Sequence, residues 1–271
     1  MVSFKDVMTK NRAAWNASAD HHRRSATWKH LVENVTRHDF SCLDSTLTAT
    51  LEQVGLSQKK VVQLGCNNGR EALSMFALGA AHVVGVDQSS EFLKQAMELA
   101  TLSPHTAEFI EADIHSLPRD LYGRFDVALI TIGVLNWMPD MTLFFGHVAR
   151  VLKPGGVLVV YETHPLLEML NPESGDPWRI ENSYFQTEPV IETRAIVYEG
   201  QGEENGHPSF WHIHSLGDVL TGIAKADLKL CHFAEYPHSN REDIYDVYEN
   251  RRGIQVPMCF ILVAEMPQEG S

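Results

Sequence analysis

Apolar residues along this chain change their period near residue 56. Before it they recur at helical spacing: Val7, Trp15 and Ala19 share one stripe, and Leu43, Leu47, Leu51 and Val54 form another that stops at Gly55. After it, apolar runs of strand length alternate with amphipathic stretches. The predicted strands cover 61–64, 82–86, 107–111, 125–130 and 157–162. Between them the pattern predicts a helix over 71–78 closed by Gly79, a second capped by Ser89 and carrying Phe92, Ala96 and Leu99, and a third capped by Asp140 and running to Val151. Lys153-Pro154-Gly155-Gly156 reads as the turn into the fifth strand. Strand and helix in repeated alternation imply parallel strands joined by right-handed crossovers, an open doubly wound α/β sheet.

The alternation breaks after Glu162. Pro165, Pro172, Gly175, Pro177 and Pro189 punctuate the next stretch, in which only 190–198 and 209–214 look like strands. A segment this long without a βα unit is usually a lid or an insertion. A helix over 216–226, strands over 228–236 and 258–264, and a charged helical piece around 240–250 complete the chain; Arg241-Glu242-Asp243 and Arg251-Arg252 read as solvated helix ends. The expected organisation is an N-terminal helical cap over 1–55 and a main domain over 56–271 with a lid at about 163–215.

Charge removes several classes of function. Lysine and arginine number 22 against 35 aspartates and glutamates, a net charge of −13 with histidines neutral. Nucleic-acid binding needs a concentrated basic surface, and anchoring on anionic lipid needs the same. Neither a nucleic acid nor a membrane is an expected partner. No run approaches the roughly 20 apolar residues of a membrane helix, and Met1-Val2-Ser3-Phe4-Lys5-Asp6 lacks a leader's charged head and apolar core, so a cytoplasmic location is expected. Cys42, Cys66, Cys231 and Cys259 form no CxxC pair, which suits reduced thiols and gives no zinc site.

Ligands of an open parallel sheet bind beyond the carboxyl ends of the strands, where the strand order reverses. There the first loop carries Gly65, Asn67 and Gly69, the second strand ends in Asp87, and the third presents Asp113. An acid after the second strand can accept from both ribose hydroxyls, and one after the third from a base's exocyclic amine. A dinucleotide fingerprint starting at Gly65 requires glycine at 67 and 70, where Asn67 and Arg70 stand; no GxxxxGK[ST] loop is present. The pattern reads as a site for a nucleoside without a diphosphate.

These segments resemble the class I S-adenosylmethionine-dependent methyltransferases. Val61-Val62-Gln63-Leu64-Gly65-Cys66-Asn67-Asn68-Gly69 is similar to their first motif, and Val84-Gly85-Val86-Asp87 to their second. Glu111-Ala112-Asp113-Ile114 resembles the adenine-binding segment, Phe125 to Ile130 the fourth strand, and Val151-Leu152-Lys153-Pro154-Gly155-Gly156 the turn before the fifth. The sequence departs from the pattern at Gln63, where an acid is usual, and at Asn67, where glycine is usual; asparagine tolerates positive φ, so the turn can survive. The resemblance implies a Rossmann-like seven-stranded doubly wound sheet with an antiparallel C-terminal hairpin, N-terminal helices and a lid after the fifth strand.

It also implies the cofactor S-adenosyl-L-methionine, held by Trp15, Gly65, Cys66, Asn67, Gly69, Asp87, Gln88, Asp113, Ile114, Thr131 and Ile132. The expected reaction is in-line methyl transfer to an oxygen or nitrogen of a small-molecule acceptor. Trp137, Tyr184 and His212 are candidate acceptor contacts. His164 and His214 are candidate bases, since imidazole titrates near neutral pH. Two other readings stay open: a nicotinamide-dependent oxidoreductase, and a cofactor-binding protein without catalysis. The acceptor and the choice between monomer and homodimer are not fixed by the sequence.

Overall fold

Val61 and Val62 are neighbours in the first strand, fully buried on opposite faces of the sheet it belongs to. That two-sided burial repeats in strand after strand, as a parallel sheet covered by helices on both faces requires. The computed structural model describes residues 2–198, 202–240, 243–249, 253, 255–268 and 270; Arg241, Glu242, Arg251 and Arg252 lie outside them.

The strands are β1 (Lys60–Leu64), β2 (His82–Asp87), β3 (Glu108–Glu111), β4 (Phe125–Ile130), β5 (Leu152–Thr163), β6 (Val190–Arg194), β7 (Glu204–Trp211), β8 (Lys229–Tyr236) and β9 (Cys259–Glu265). Seven of them form one sheet in the order β3-β2-β1-β4-β5-β9-β8. β1 to β5 run parallel, β9 pairs antiparallel with β5, and β8 antiparallel with β9. The doubly wound sheet with its antiparallel C-terminal pair is therefore as expected. Strand order reverses between β1 and β4, so the crevice opens above the loops that follow them. β6 and β7 form a separate antiparallel pair within the segment after β5.

The helices are α1 (Phe4–Arg24), α2 (Ala26–Asn34), α3 (Ser45–Val54), α4 (Arg70–Ser74), α5 (Ser90–Leu102), α6 (Met141–Val151) and α7 (Leu216–Lys225). One face of the sheet, with Val62, Leu64, Ala128, Ile130 and Val160, packs against Phe144, Phe145 and Val148 of α6 and Val219 and Ile223 of α7. The other face, with Val61, Val127, Leu129 and Val159, packs against Leu47 and Leu51 of α3 and Ala72 of α4. Ser89 and Asp140 cap α5 and α6 by accepting from the amides of Phe92 and Leu143.

Several boundaries differ from the sequence pattern. The helix expected over 71–78 is α only through Ser74; residues Met75–Leu78 tighten into a 3₁₀ turn before Gly79 takes a left-handed φ of 86°. Leu43 lies outside α3, because the Asp44 side chain accepts from the Leu47 amide and fixes the start at Ser45. The turn at 153–156 is a bulge within β5: Phe125 pairs with Leu152 but Val127 pairs with Val157. The strands expected over 190–198 and 209–214 are Val190–Arg194 and Glu204–Trp211, and the charged piece near 240–250 is a 3₁₀ turn over Asp243–Tyr248. Among the described residues, no helix is long and apolar enough to cross a membrane.

Candidate functional site

The loop after β1 is folded by its backbone. Gly65 and Cys66 donate their amides to the Val86 carbonyl at 2.8 and 3.0 Å, and Asn67 donates its amide to Asp87 Oδ2 at 2.7 Å. Asn67 sits at φ 49°, and its Oδ1 accepts from the Asn68 amide at 2.8 Å, so asparagine satisfies locally the turn where glycine is usual. Gly65, at φ 72°, has no room for a side chain: a Cβ there would stand 2.7 Å from Val134 Cγ2 in the segment after β4.

Asp87 thus holds the loop from the end of β2. Its Oδ1 accepts from the Ser89 amide at 2.9 Å while Oδ2 holds Asn67. A carboxylate has about four lone-pair sites, so acceptor capacity remains on both oxygens. Burial pushes the Asp87 carboxyl above its ordinary value, against the amides of Ser89, Asn67 and Gln88 that favour the anion. Asp113 goes the other way: burial raises it, but hydrogen bonds from the His115 ring (3.1 Å) and amide (2.9 Å) outweigh that and hold it below its ordinary value.

Glu162, 2 % exposed at the end of β5, fixes the loop after β4. Its Oε1 accepts from the amides of Gly133 (2.6 Å) and Thr163 (2.8 Å), and its Oε2 from that of Leu135 (3.2 Å). Gln63, at the motif position where an acid is usual, donates through Nε2 to Thr131 Oγ1 at 3.0 Å. With its oxygen accepting there, the Thr131 hydroxyl proton is left to point elsewhere; an acid at 63 would claim it.

Above these loops lies a cavity of about 1530 Å³. Of the residues expected to bind a cofactor, Trp15, Gly65, Asn67, Asp87, Gln88, Asp113, Ile114, Thr131 and Ile132 line it. Trp137, expected at the acceptor, lines it too. Cys66 and Gly69 do not. Cys66 is fully buried, and burial first, then Asp87 and Glu71, pushes its thiol well above the ordinary range, so it is a packing residue. Gly69 caps α4 with a left-handed φ of 74°.

The structure places the candidate histidines and the candidate tyrosine away from the large cavity: none of His164, His212, His214 and Tyr184 lines it. His164 is held at both ring nitrogens, by Glu235 Oε1 at 2.8 Å and by the Leu166 amide at 3.0 Å; burial lowers its basicity, although Glu235 opposes this. His214 Nε2 is bonded to the Met138 carbonyl at 2.7 Å, and burial lowers it as well. Burial and then His214 push His212 down to about 4. The two histidines do share a face, but the cavity takes the alternate residues Trp211 and Ile213. Tyr184 accepts from the Leu216 amide at 3.0 Å, tying its segment to the start of α7.

Residues without a recognisable motif complete the enclosure. Fully buried Asn11 of α1 donates Nδ2 to the Phe210 carbonyl (3.1 Å) and accepts the Phe210 amide on Oδ1 (2.7 Å). Asn136 bonds similarly across the gap, its Nδ2 donating to the His212 carbonyl at 2.8 Å while its own carbonyl accepts the His212 amide at 2.7 Å. Arg70 lines the cavity but is paired with Glu71 at 2.8 Å and lies over the Tyr198 ring at 5.5 Å. Asn11 was legible only as a polar residue on the same buried helix stripe as Val7, Ala14 and Ser18. Replacing Asn11 by Ala leaves the Phe210 amide and carbonyl buried without their partner, at about 1–3 kcal/mol each. The expected loss on Asn11→Ala is about 2–4 kcal/mol, read as a lower midpoint in urea unfolding at unchanged slope.

A family model described as a methyltransferase domain matches residues 56–190. A ubiquinone biosynthesis O-methyltransferase of Psychrobacter cryohalolentis is 34% identical over 132 residues, covering 48% of this chain and 49% of its own. A trans-aconitate 2-methyltransferase of Azoarcus sp. is 33% identical over 105 residues, 37% of each chain. This chain thus spans half or less of the length of the two relatives. Among solved structures, an S-adenosylmethionine-dependent methyltransferase of Methanosarcina mazei aligns with TM-score 0.57 at 19% identity, over 81% of this chain and 98% of the other. A geranyl diphosphate C-methyltransferase of Streptomyces coelicolor, solved with S-adenosyl-L-homocysteine, aligns with TM-score 0.53 at 16% identity, over 82% and 79%.

Proposed function

We propose that this chain, which belongs through residues 56–190 to the class I S-adenosylmethionine-dependent methyltransferases, transfers a methyl group to a small molecule enclosed in the cavity above its sheet. The observation that carries this is the convergence of Asp87, Asp113, Thr131, Gly65 and Asn67 on one large cavity above the sheet.

The residues fit the cofactor. Gly65 leaves no side chain between backbone and cavity, Asp87 keeps acceptor capacity for two ribose hydroxyls, and ionised Asp113 suits an exocyclic amine. When bound, S-adenosylmethionine supplies a methyl group on a sulfonium, open to in-line attack by a nucleophile. The chain's own work is alignment and exclusion of water. Glu162 holds the loop that carries Trp137, α1 carries Trp15, and the two indoles meet edge-on at 5.3 Å as a wall of the cavity. Alignment of this kind contributes about 7–11 kcal/mol where geometry is good. α1 and the segment over 163–215 act as one cap, joined through Asn11 and Phe210. With the candidate histidines outside the cavity, the acceptor reaches the site already nucleophilic or loses its proton to water or to a carboxylate of the wall. The net charge of −13 disfavours a nucleic-acid acceptor.

Calorimetric titration with S-adenosylhomocysteine and with NAD tests the site; binding of NAD alone would falsify the reading. The raised Asp87 carboxyl adds a pH signature. Its protonated form accumulates at a higher pH than for an exposed aspartate, and a protonated acid no longer accepts on both oxygens. Affinity for S-adenosylhomocysteine is expected to fall as pH drops, starting at a higher pH than an exposed aspartate would give, and to fall less in Asp87→Asn, which does not titrate.

A further inference from the structure

Asp113 is held through one of its two oxygens. Oδ1 accepts from the His115 amide at 2.9 Å and from the His115 ring Nδ1–H at 3.1 Å. Among the described residues nothing donates to Oδ2, and the Asp113 side chain, 32 % exposed, lines the cavity. The His115 side chain is 7 % exposed and lies behind it, outside the cavity lining. Its ring stands edge-on to Phe4, the first residue of α1, at 4.8 Å and 89°. On α6 it meets His147 at 5.8 Å and 79° and Phe144 at 6.4 Å. The ring Nε2 is buried without a partner.

The two bonds to Oδ1 do different work. The amide bond is the local one that any aspartate makes at the start of such a turn, here Ile114–Ser116. Alone it fixes one atom and leaves the carboxylate free to turn about its broad terminal torsion. The ring bond approaches the same oxygen from the side chain and fixes the plane, so Oδ2 keeps one direction. It also opposes burial, which raises the Asp113 carboxyl, and favours the anion. An ionised acceptor makes hydrogen bonds roughly twice as strong as a neutral one. An apolar side chain could fill the place between Phe4 and Phe144 without burying an unpartnered nitrogen. What imidazole adds there is its Nδ1–H.

We infer that His115 is a positioning residue for base recognition: its ring bond to Oδ1 aims Oδ2 of Asp113 at the exocyclic amine of the cofactor's adenine and sets the preference for an amine-bearing base. The inference rests on the place of Asp113 in the methyltransferase reading above. It adds to cofactor recognition a residue that the cofactor does not touch.

The test titrates two ligands calorimetrically into the full chain: S-adenosylhomocysteine, and its purine analogue with hydrogen in place of the amine. The unaltered chain is expected to prefer the amine by about 10-fold or more, as for a hydrogen bond to an ionised group. His115→Leu keeps an apolar side chain between Phe4 and Phe144 and removes the donor. It is expected to cut the preference at least about 3-fold, by weakening S-adenosylhomocysteine while the analogue binds as before. His115→Asn, whose Nδ2 branches from Cγ as the ring Nδ1 does, is expected to restore the preference to within about 2-fold of the unaltered chain. A packing role alone would weaken both ligands alike, and the analogue's retained affinity reports an intact site. Equal binding of the two ligands by the unaltered chain, an unchanged preference in His115→Leu, or equal losses in the Leu and Asn variants would overturn the inference and leave the methyltransferase reading standing. Failure of S-adenosylhomocysteine to bind the unaltered chain would remove both.

Discussion

Asp87→Ala is expected to weaken S-adenosylhomocysteine binding roughly 100- to 10,000-fold and to cost about 2–4 kcal/mol of stability, because the Asn67 and Ser89 amides lose their acceptor. Hydrogen bonds to an ionised group contribute about 1.5–3 kcal/mol each, so two ribose hydroxyls lost to the variant amount to about 3–6 kcal/mol. The same substitution frees the Asn67 amide, held at 2.7 Å, and so loosens the loop that the cofactor must approach. Asp87→Asn separates the two contributions. It keeps one acceptor oxygen of the right shape, so its loss is expected to be smaller. Calorimetry gives the affinities and thermal melting checks the fold; affinity within 3-fold of the unaltered chain for Asp87→Ala, on the order of 0.6 kcal/mol, would remove Asp87 from the site.

Glu162→Ala has the largest expected effect on stability. The carboxylate accepts three backbone amides, those of Gly133, Leu135 and Thr163, and is buried with them. Its removal leaves those donors without their partner at about 1–3 kcal/mol each, partly relieved where water enters; the expected total is about 3–5 kcal/mol. For a chain of this size that corresponds to a melting temperature lower by on the order of 10 °C. Glu162→Gln turns an amide NH₂ toward at least one backbone donor and is expected to fall between the two. Since Gly133 and Leu135 lead directly to Trp137, both variants also loosen the cavity wall. A fully stable Glu162→Ala would show that the loop after β4 is held by something else.

The legible part of this protein was its sheet and the strand-end loops that line one end of its cavity. Strand burial on both faces writes itself as apolar runs, and the special backbone after β1 writes itself as Gly65, Asn67 and Gly69. Asp87 and Asp113 stand at strand ends, where topology alone assigns a position. The rest of the enclosure was not legible for a physical reason. It is built by residues far apart in the chain, Asn11 with Phe210 and Asn136 with His212, through backbone bonds that leave no periodic trace. The histidines illustrate the cost. His164 follows β5, where the crevice opens, yet Glu235 on β8 and the Leu166 amide claim its ring. His212 and His214 alternate correctly, but period two does not say which face meets the cavity; Trp211 and Ile213 took it. Cys66 lay within the right motif and points into the core. Glu162 carried a readable signal, an acid closing a buried strand, which matters because such a charge must find donors.

Methyl-deuterated S-adenosylmethionine incubated with the full chain and a desalted small-metabolite extract provides the most direct measurement of the proposed function. Mass spectrometry is expected to find the label on a small molecule, with S-adenosylhomocysteine formed in equal amount, and neither product with Asp87→Ala. S-adenosylmethionine bound but never consumed, or label transferred to added nucleic acid in place of the metabolites, would contradict the account.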